Sequence, residues 1–120
     1  METILLWLGR ILFGGYFLFN GYNHFANLNG MAGYAQAKGI PAAKAAVGFS
    51  GLLLLVGGLS LITNIETTVG LLALVAFLVP VTFTMHTFWK VQDPMAKMGE
   101  QINFTKNLAL LGAVIILLVR

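Results

Sequence analysis

The chain has 120 residues, 58% of them hydrophobic and 9% charged, with a net charge of +3 and no cysteine, and its mean hydropathy is +0.87. A soluble domain carries about a quarter of its residues as charges, so this composition predicts one integral membrane domain over residues 1–120. Without cysteine the chain cannot perform thiol chemistry alone. Its seven cations, scattered over apolar segments with no basic patch among aromatics, point to membrane topology rather than nucleic acid.

The apolar runs are continuous, whereas a membrane β-barrel alternates apolar and polar residues in segments of about ten. We expect an all-α, up-down four-helix bundle, with helices at about 3–24, 42–63, 67–89 and 103–119. Glu2 replaces the basic start of a signal peptide and no small-residue cleavage site precedes Asn20, so the first run is read as a retained helix. On it Arg10, Gly14, Phe17, Gly21 and His24 recur at helical spacing and share one face. Arg10 and His24 are about 21 Å apart along the axis, too far for one small ligand to touch both. Arg10 is given a structural role, pairing with Glu66 or snorkelling to headgroups, which offsets part of an insertion cost of roughly 2.5–3.5 kcal/mol.

The connection from Phe25 to Pro41 is expected to hold a short interfacial helix over Gly30–Lys38, with Tyr34 at headgroup level, before Gly39-Ile40-Pro41 turns the chain into helix two. The short Thr63–Glu66 connection makes helices two and three antiparallel neighbours. Pro80 removes a backbone hydrogen bond and bends helix three about two turns before His86. After Asp93-Pro94 a short surface helix is expected, and helix four opens with Asn103, Lys106 and Asn107 on one face. Lys38, Lys44, Lys90 and Lys97 lie in loops one and three, while the other side has little beyond Arg120. The positive-inside rule therefore puts loops one and three in the cytoplasm and both termini outside.

Polar residues concentrate at the loop end: Asn20, Asn23 and His24 from helix one, His86 and Trp89 from helix three, Asp93, and the Asn103, Lys106, Asn107 face of helix four. With Phe25, Phe88, Trp89 and Phe104 around them they would form a polar, aromatic-lined pocket. Three occupants suit it: a quinone head, with a His or Lys donating to a carbonyl and an acid managing the proton; a haem or metal ion between His24 and His86; or a lipid headgroup or small solute held without chemistry. Against these stand ordinary readings: lone histidines that hydrogen-bond at the interface, Trp89 and Lys90 as belt residues, and Lys106 snorkelling. Two histidines with one nearby Asp are a weak metal signal, so haem is disfavoured. Asn107 and His86 nonetheless gain nothing from a membrane unless partners satisfy them.

In Leu8-Gly9-Arg10, Phe19-Asn20-Gly21, Tyr34 with Gly39-Ile40-Pro41, Leu53 to Gly58, His86 with Phe88-Trp89 and Asp93-Pro94, and Phe104-Thr105-Lys106-Asn107 through Gly112, the chain resembles the DoxX family of small four-helix bacterial membrane proteins. The last two blocks are the specific ones. The resemblance implies a quinone-linked or redox-associated subunit of the bacterial cytoplasmic (inner) membrane, since related proteins are associated with a terminal quinol oxidase and with thiosulfate:quinone oxidoreductase. Many relatives carry lysine at the position of His24 and an acid early in helix two, where Phe49 and Ser50 stand here. That leaves Asp93 or Glu100 as the carboxylate for a proton route.

The expectation is therefore a pocket for quinone or a similar amphipath. His86 and Lys106 contact the head, Asn107 orients it, His24 and Asp93 handle protons, Trp89 closes one wall, and Asn20, Asn103 and Phe104 complete the lining. Expected partners are membrane lipid, a soluble or membrane redox protein and a second copy of the chain. The competing expectation is a non-enzymatic scaffold or lipid-binding protein that anchors redox enzymes through its lysine-bearing loops.

Overall fold

The computed structural model describes residues 1–120, and all of its regular structure is helical: α1 Glu2–Ala26, α2 Leu28–Ala37, α3 Ala43–Thr63, α4 Thr67–Met85, one 3₁₀ turn at Phe88–Lys90, and α5 Pro94–Val119. Four segments are long and apolar enough to cross a membrane: α1, α3, α4 continued to Lys90, and α5. Helices satisfy their own backbone groups in lipid, which is why such apolar runs take this form.

The ends of these helices follow local chemistry. Gly39 at φ 85° and Ala42 at φ 49° turn the chain around Pro41 into α3, and Asn64 at φ 59° closes that helix in the left-handed conformation that asparagine tolerates. The Ser60 hydroxyl lies 2.7 Å from the Ile65 carbonyl oxygen and 2.8 Å from that of Glu66 and shares its one proton between them, pinning the three-residue connection to α4. Pro80 sits inside α4.

Two expected boundaries are corrected. α4 stops at Met85 instead of running to residue 89, because His-Thr-Phe-Trp are poor helix formers and His86 turns off the axis toward a partner on α5. α5 starts at Pro94 instead of Asn103: Asp93 caps it, accepting the Ala96 N–H at 2.9 Å, and Pro94 occupies the first turn. The expected surface helix is thus the first two turns of α5. Residues 94–102 are helix-forming but polar, so hydropathy alone places the start too late.

α1 packs on α3, α3 on α4 and α4 on α5. The face of α1 that is buried carries Gly14, Phe17, Gly21 and His24, the same face the spacing marks. A Cβ on Gly58 would lie 2.8 Å from the Gly14 carbonyl oxygen and 2.9 Å from the Leu18 nitrogen, and one on Gly21 would lie 3.1 Å from the Gly51 oxygen. The two backbones therefore touch, as small residues allow between membrane helices, and because Gly14 meets Gly58 while Gly21 meets Gly51, α1 and α3 run in opposite directions. Leu54, Leu71, Leu74 and Leu78 fill the α3–α4 seam, with Phe17 and Val114 fully buried against them. Large apolar side chains such as Ile4, Leu8, Ile11, Leu52, Phe49, Leu72 and Ile116 point outward, where lipid is the solvent.

Because each membrane-spanning helix packs mainly on the next spanning helix, α1 and α5 face one another across two cavities lined in part by both. Gly58→Ala should push α1 from α3 and lower stability by about 1–3 kcal/mol. Gly15→Ala, with nothing within 4 Å of the added methyl, should leave the thermal midpoint in detergent unchanged or raised; equal loss in both variants would refute the close contact.

Candidate functional site

The loop end is organised by a carboxylate. Glu100, on the second turn of α5, is only 8% exposed. Its Oε2 accepts from the Tyr34 hydroxyl and from Lys38 Nζ, each at 2.5 Å, and its Oε1 accepts from His86 Nδ1 at 3.1 Å and Asn103 Nδ2 at 3.4 Å. Tyr34 and Lys38 are four residues apart, on α2 and its C-cap, so they share a face. His86 is the C-cap of α4. Three segments thus meet on one acid.

The chemistry of the cluster follows from its donors. A proton on His86 Nδ1 serves the carboxylate, so the neutral ring keeps Nε2 as an acceptor. Burial pushes the Tyr34 phenol up from its ordinary value and the adjoining Glu100 adds to that, so Tyr34 stays a donor through the physiological range. Lys38 forms the ion pair that compensates the charge.

Beside this cluster lies a cavity of about 410 Å³, within the roughly 300–1,000 Å³ of small-molecule sites. Asn20 and His24 of α1, His86, and Asn103, Lys106 and Asn107 of α5 line its polar wall, and Phe17, Leu54, Phe77, Leu78 and Leu110 line its apolar one. His24 is 8% exposed; its Nδ1–H donates to the Asn20 carbonyl at 2.8 Å, and its ring meets Phe77 edge-on, centroids 5.8 Å apart. The Asn20 amide is spent on the Tyr16 carbonyl at 2.9 Å. Lys106 Nζ lies 5.6 Å from the centre of the Tyr16 ring and pairs with no carboxylate, since both ion pairs of the molecule are on Glu100. Asn107 is 5% exposed, and its side chain makes no hydrogen bond to the protein.

The structure therefore brings together six of the expected residues, Asn20, His24, His86, Asn103, Lys106 and Asn107, and separates three. Asp93 is exposed, is occupied as the cap of α5 and does not line the cavity. Trp89 does not close a wall: it is 51% exposed and packs edge-to-face with Phe88 and Phe104, centroids 5.3 Å and 5.5 Å away. Phe104 belongs to that outer aromatic cluster, with Phe83 5.6 Å away. The aromatics that do line the cavity are Tyr16, Phe17, Tyr34 and Phe77.

The second expected polar group is also rearranged. Arg10 does not pair with Glu66, which is exposed; Arg10 Nη1 donates to the Leu61 carbonyl at 2.9 Å. His24 and His86 line one cavity, each with Nδ1 engaged by the protein, and no cluster of three or more His, Asp or Glu with metal-holding geometry forms.

Sequence reasoning treats Tyr34 as a belt residue, Lys38 as a topology charge and Glu100 as a stand-in acid. The signal for their union is that Glu100 is one of only four acids, beside an apolar run where it must find donors.

A family model described as DoxX matches residues 5–87. No curated protein and no solved structure matches the chain. The matched segment runs from Leu5 in α1 to Thr87 and stops before Glu100 and Lys106. With its membrane-spanning helices, the chain belongs to the DoxX family of membrane proteins.

Proposed function

We propose that the loop-end cavity, lined by all five helices, binds the head of a quinone or a chemically similar amphipath, in an up-down bundle of the bacterial cytoplasmic membrane that serves a redox complex. The observation that carries this reading is Asn107: a residue only 5% exposed that lines an apolar cavity and spends its amide on no protein group, next to a lysine without a counter-ion. A polar group held at the wall of an apolar cavity needs a partner, and a carbonyl-bearing ring with an apolar tail supplies acceptors for Lys106 and Asn107 and surface for Phe77 and Leu110. A bound quinone would supply two-electron, two-proton chemistry. The chain's part is to orient the head and keep a protonable imidazole, His86 backed by Glu100, at the cavity wall; Glu100 takes the role expected of Asp93. In this arrangement α2 lies at the interface and loops one and three, with Lys38, Lys44, Lys90 and Lys97, face the cytoplasm.

A second reading has its own support. Lys44, Lys90 and Lys97 are exposed at the loop end and enter no ion pair, as a surface that anchors an acidic soluble redox partner requires. Substituting His86 and Lys106 separates the two: if partner capture survives and turnover of the assembled complex is lost, the cavity is chemical; if capture goes too, it is an assembly surface.

Purified protein extracted with organic solvent should release quinone. Lys106→Met and Asn107→Ala should each weaken binding of a short-chain quinone about tenfold or more, the value of one hydrogen bond from a charged or buried donor. An empty extract together with no quinone-induced thermal shift would sink the reading. Glu100→Gln should cost roughly 3 kcal/mol by stranding Lys38. Adding Lys38→Met to it should recover most of that loss in thermal unfolding; a double variant as unstable as the sum of the singles would show that the ion pair is not the cause.

A further inference from the structure

At the opposite end α1 and α5 enclose a second cavity, of about 450 Å³. Leu6, Gly9 and Phe13 of α1 and Ala113 and Ile116 of α5 make its apolar wall, and Arg10 is its one charged residue. Of five N–H groups on that guanidinium, one is spent, on the Leu61 carbonyl at 2.9 Å. Nε is fully buried without an acceptor, and no carboxylate pairs with the charge, because both ion pairs of the molecule are on Glu100.

The depth of this arginine decides what could meet it. Leu61 is two residues before the end of α3 at Thr63, and the cavity wall reaches Thr67, the first residue of α4. The guanidinium is thus within about one helical turn of the polar Asn64–Glu66 connection, near the end of the bundle opposite Glu100. Trp7, whose ring centre is 5.9 Å from the guanidinium carbon, lies one turn before Arg10 on α1.

The geometry points to a binding site for an anionic phospholipid, with its phosphodiester on Arg10 and an acyl chain in the cavity. The guanidinium fork matches two phosphate oxygens, which the single backbone carbonyl does not supply. The apolar wall takes the chain, and a lipid reaches it sideways between α1 and α5. A lipid without a positive headgroup leaves the phosphate charge to Arg10 alone, so phosphatidylglycerol is preferred to phosphatidylcholine.

The test uses the full chain in mixed micelles with phosphatidylglycerol, phosphatidylcholine or sodium phosphate, reading lipid retained by native mass spectrometry and the thermal midpoint. Phosphatidylglycerol should be retained and raise the midpoint, with about tenfold weaker retention of phosphatidylcholine. Arg10→Gln should remove the preference, and Ala113→Phe, which fills the cavity and keeps the charge, should reduce retention of phosphatidylglycerol; if Arg10→Gln does not fold, Ala113→Phe decides. Equal retention of the two lipids, retention indifferent to Ala113→Phe, or the same midpoint shift from sodium phosphate alone, which marks a free-anion site, would each overturn the proposal.

Discussion

Glu100 accepts from Tyr34, Lys38, His86 and Asn103, and the loop end of the bundle is arranged around that carboxylate. An acid buried at the edge of an apolar assembly is costly unless a cation and further donors satisfy it. Lys38 brings the charge, and the others occupy remaining lone pairs. α2 is consequently fastened to α5 through two side chains one turn apart, and the end of α4 is held where His86 reaches the same acid. The arrangement also settles the charge distribution. Lys38 is consumed by Glu100, so Lys106 is the cation left to the cavity.

A second constraint sets the width of the cleft. Glycines bring α1 against α3 until backbone atoms of the two helices nearly touch, and the leucine seam joins α3 to α4. Helices α1 and α5 then flank α3 and α4 without a comparable seam between them. In water an open apolar cleft would collapse or aggregate. In lipid the tails are as apolar as leucine, so a gap between flanking helices is tolerated, and an amphipath can enter from the side. The exposed faces of α1 and α5, rich in Ile, Leu and Phe, fit that solvent.

Much of this was legible in the sequence because a membrane span needs only length and apolarity to be recognised, and because helical spacing reports the buried face: Gly14, Phe17, Gly21 and His24 are marked by phase alone. The misplaced boundaries have one origin. Hydropathy finds lipid, whereas Asp93 and Pro94 start a helix before the lipid begins, and the turn after Met85 ends one before the aromatic residues do. The expected lining differs from the observed one where proximity in sequence stood in for proximity in space. Trp89, Asp93 and Phe104 are neighbours of His86 or Lys106 along the chain, yet a cap and an aromatic cluster take them out of the cavity. Tyr34 and Lys38, 66 and 62 residues from Glu100, are joined to it only by the docking of α2, which no local pattern encodes.

The two ends of the α1–α5 cleft obey the same electrostatic logic with different residues. Along α1 the lining passes from Phe13 in one cavity to Tyr16 in the other, and along α5 from Ala113 to Leu110. At that level Phe17 and Val114 are fully buried and fill the space, so the ends are chemically separate. Each end presents a cation without a carboxylate beside apolar walls, which favours a ligand with an electron-rich head and an apolar body. The cations are not equivalent. Lys106 is a point charge on a flexible stem, with the Asn107 amide beside it, and suits a carbonyl oxygen whose position is fixed by the rest of the ligand. Arg10 is a planar fork already anchored through one nitrogen, and suits an oxyanion that presents two oxygens at once. On the two proposals above, one end of the cleft takes an electroneutral ring and the other a phosphate.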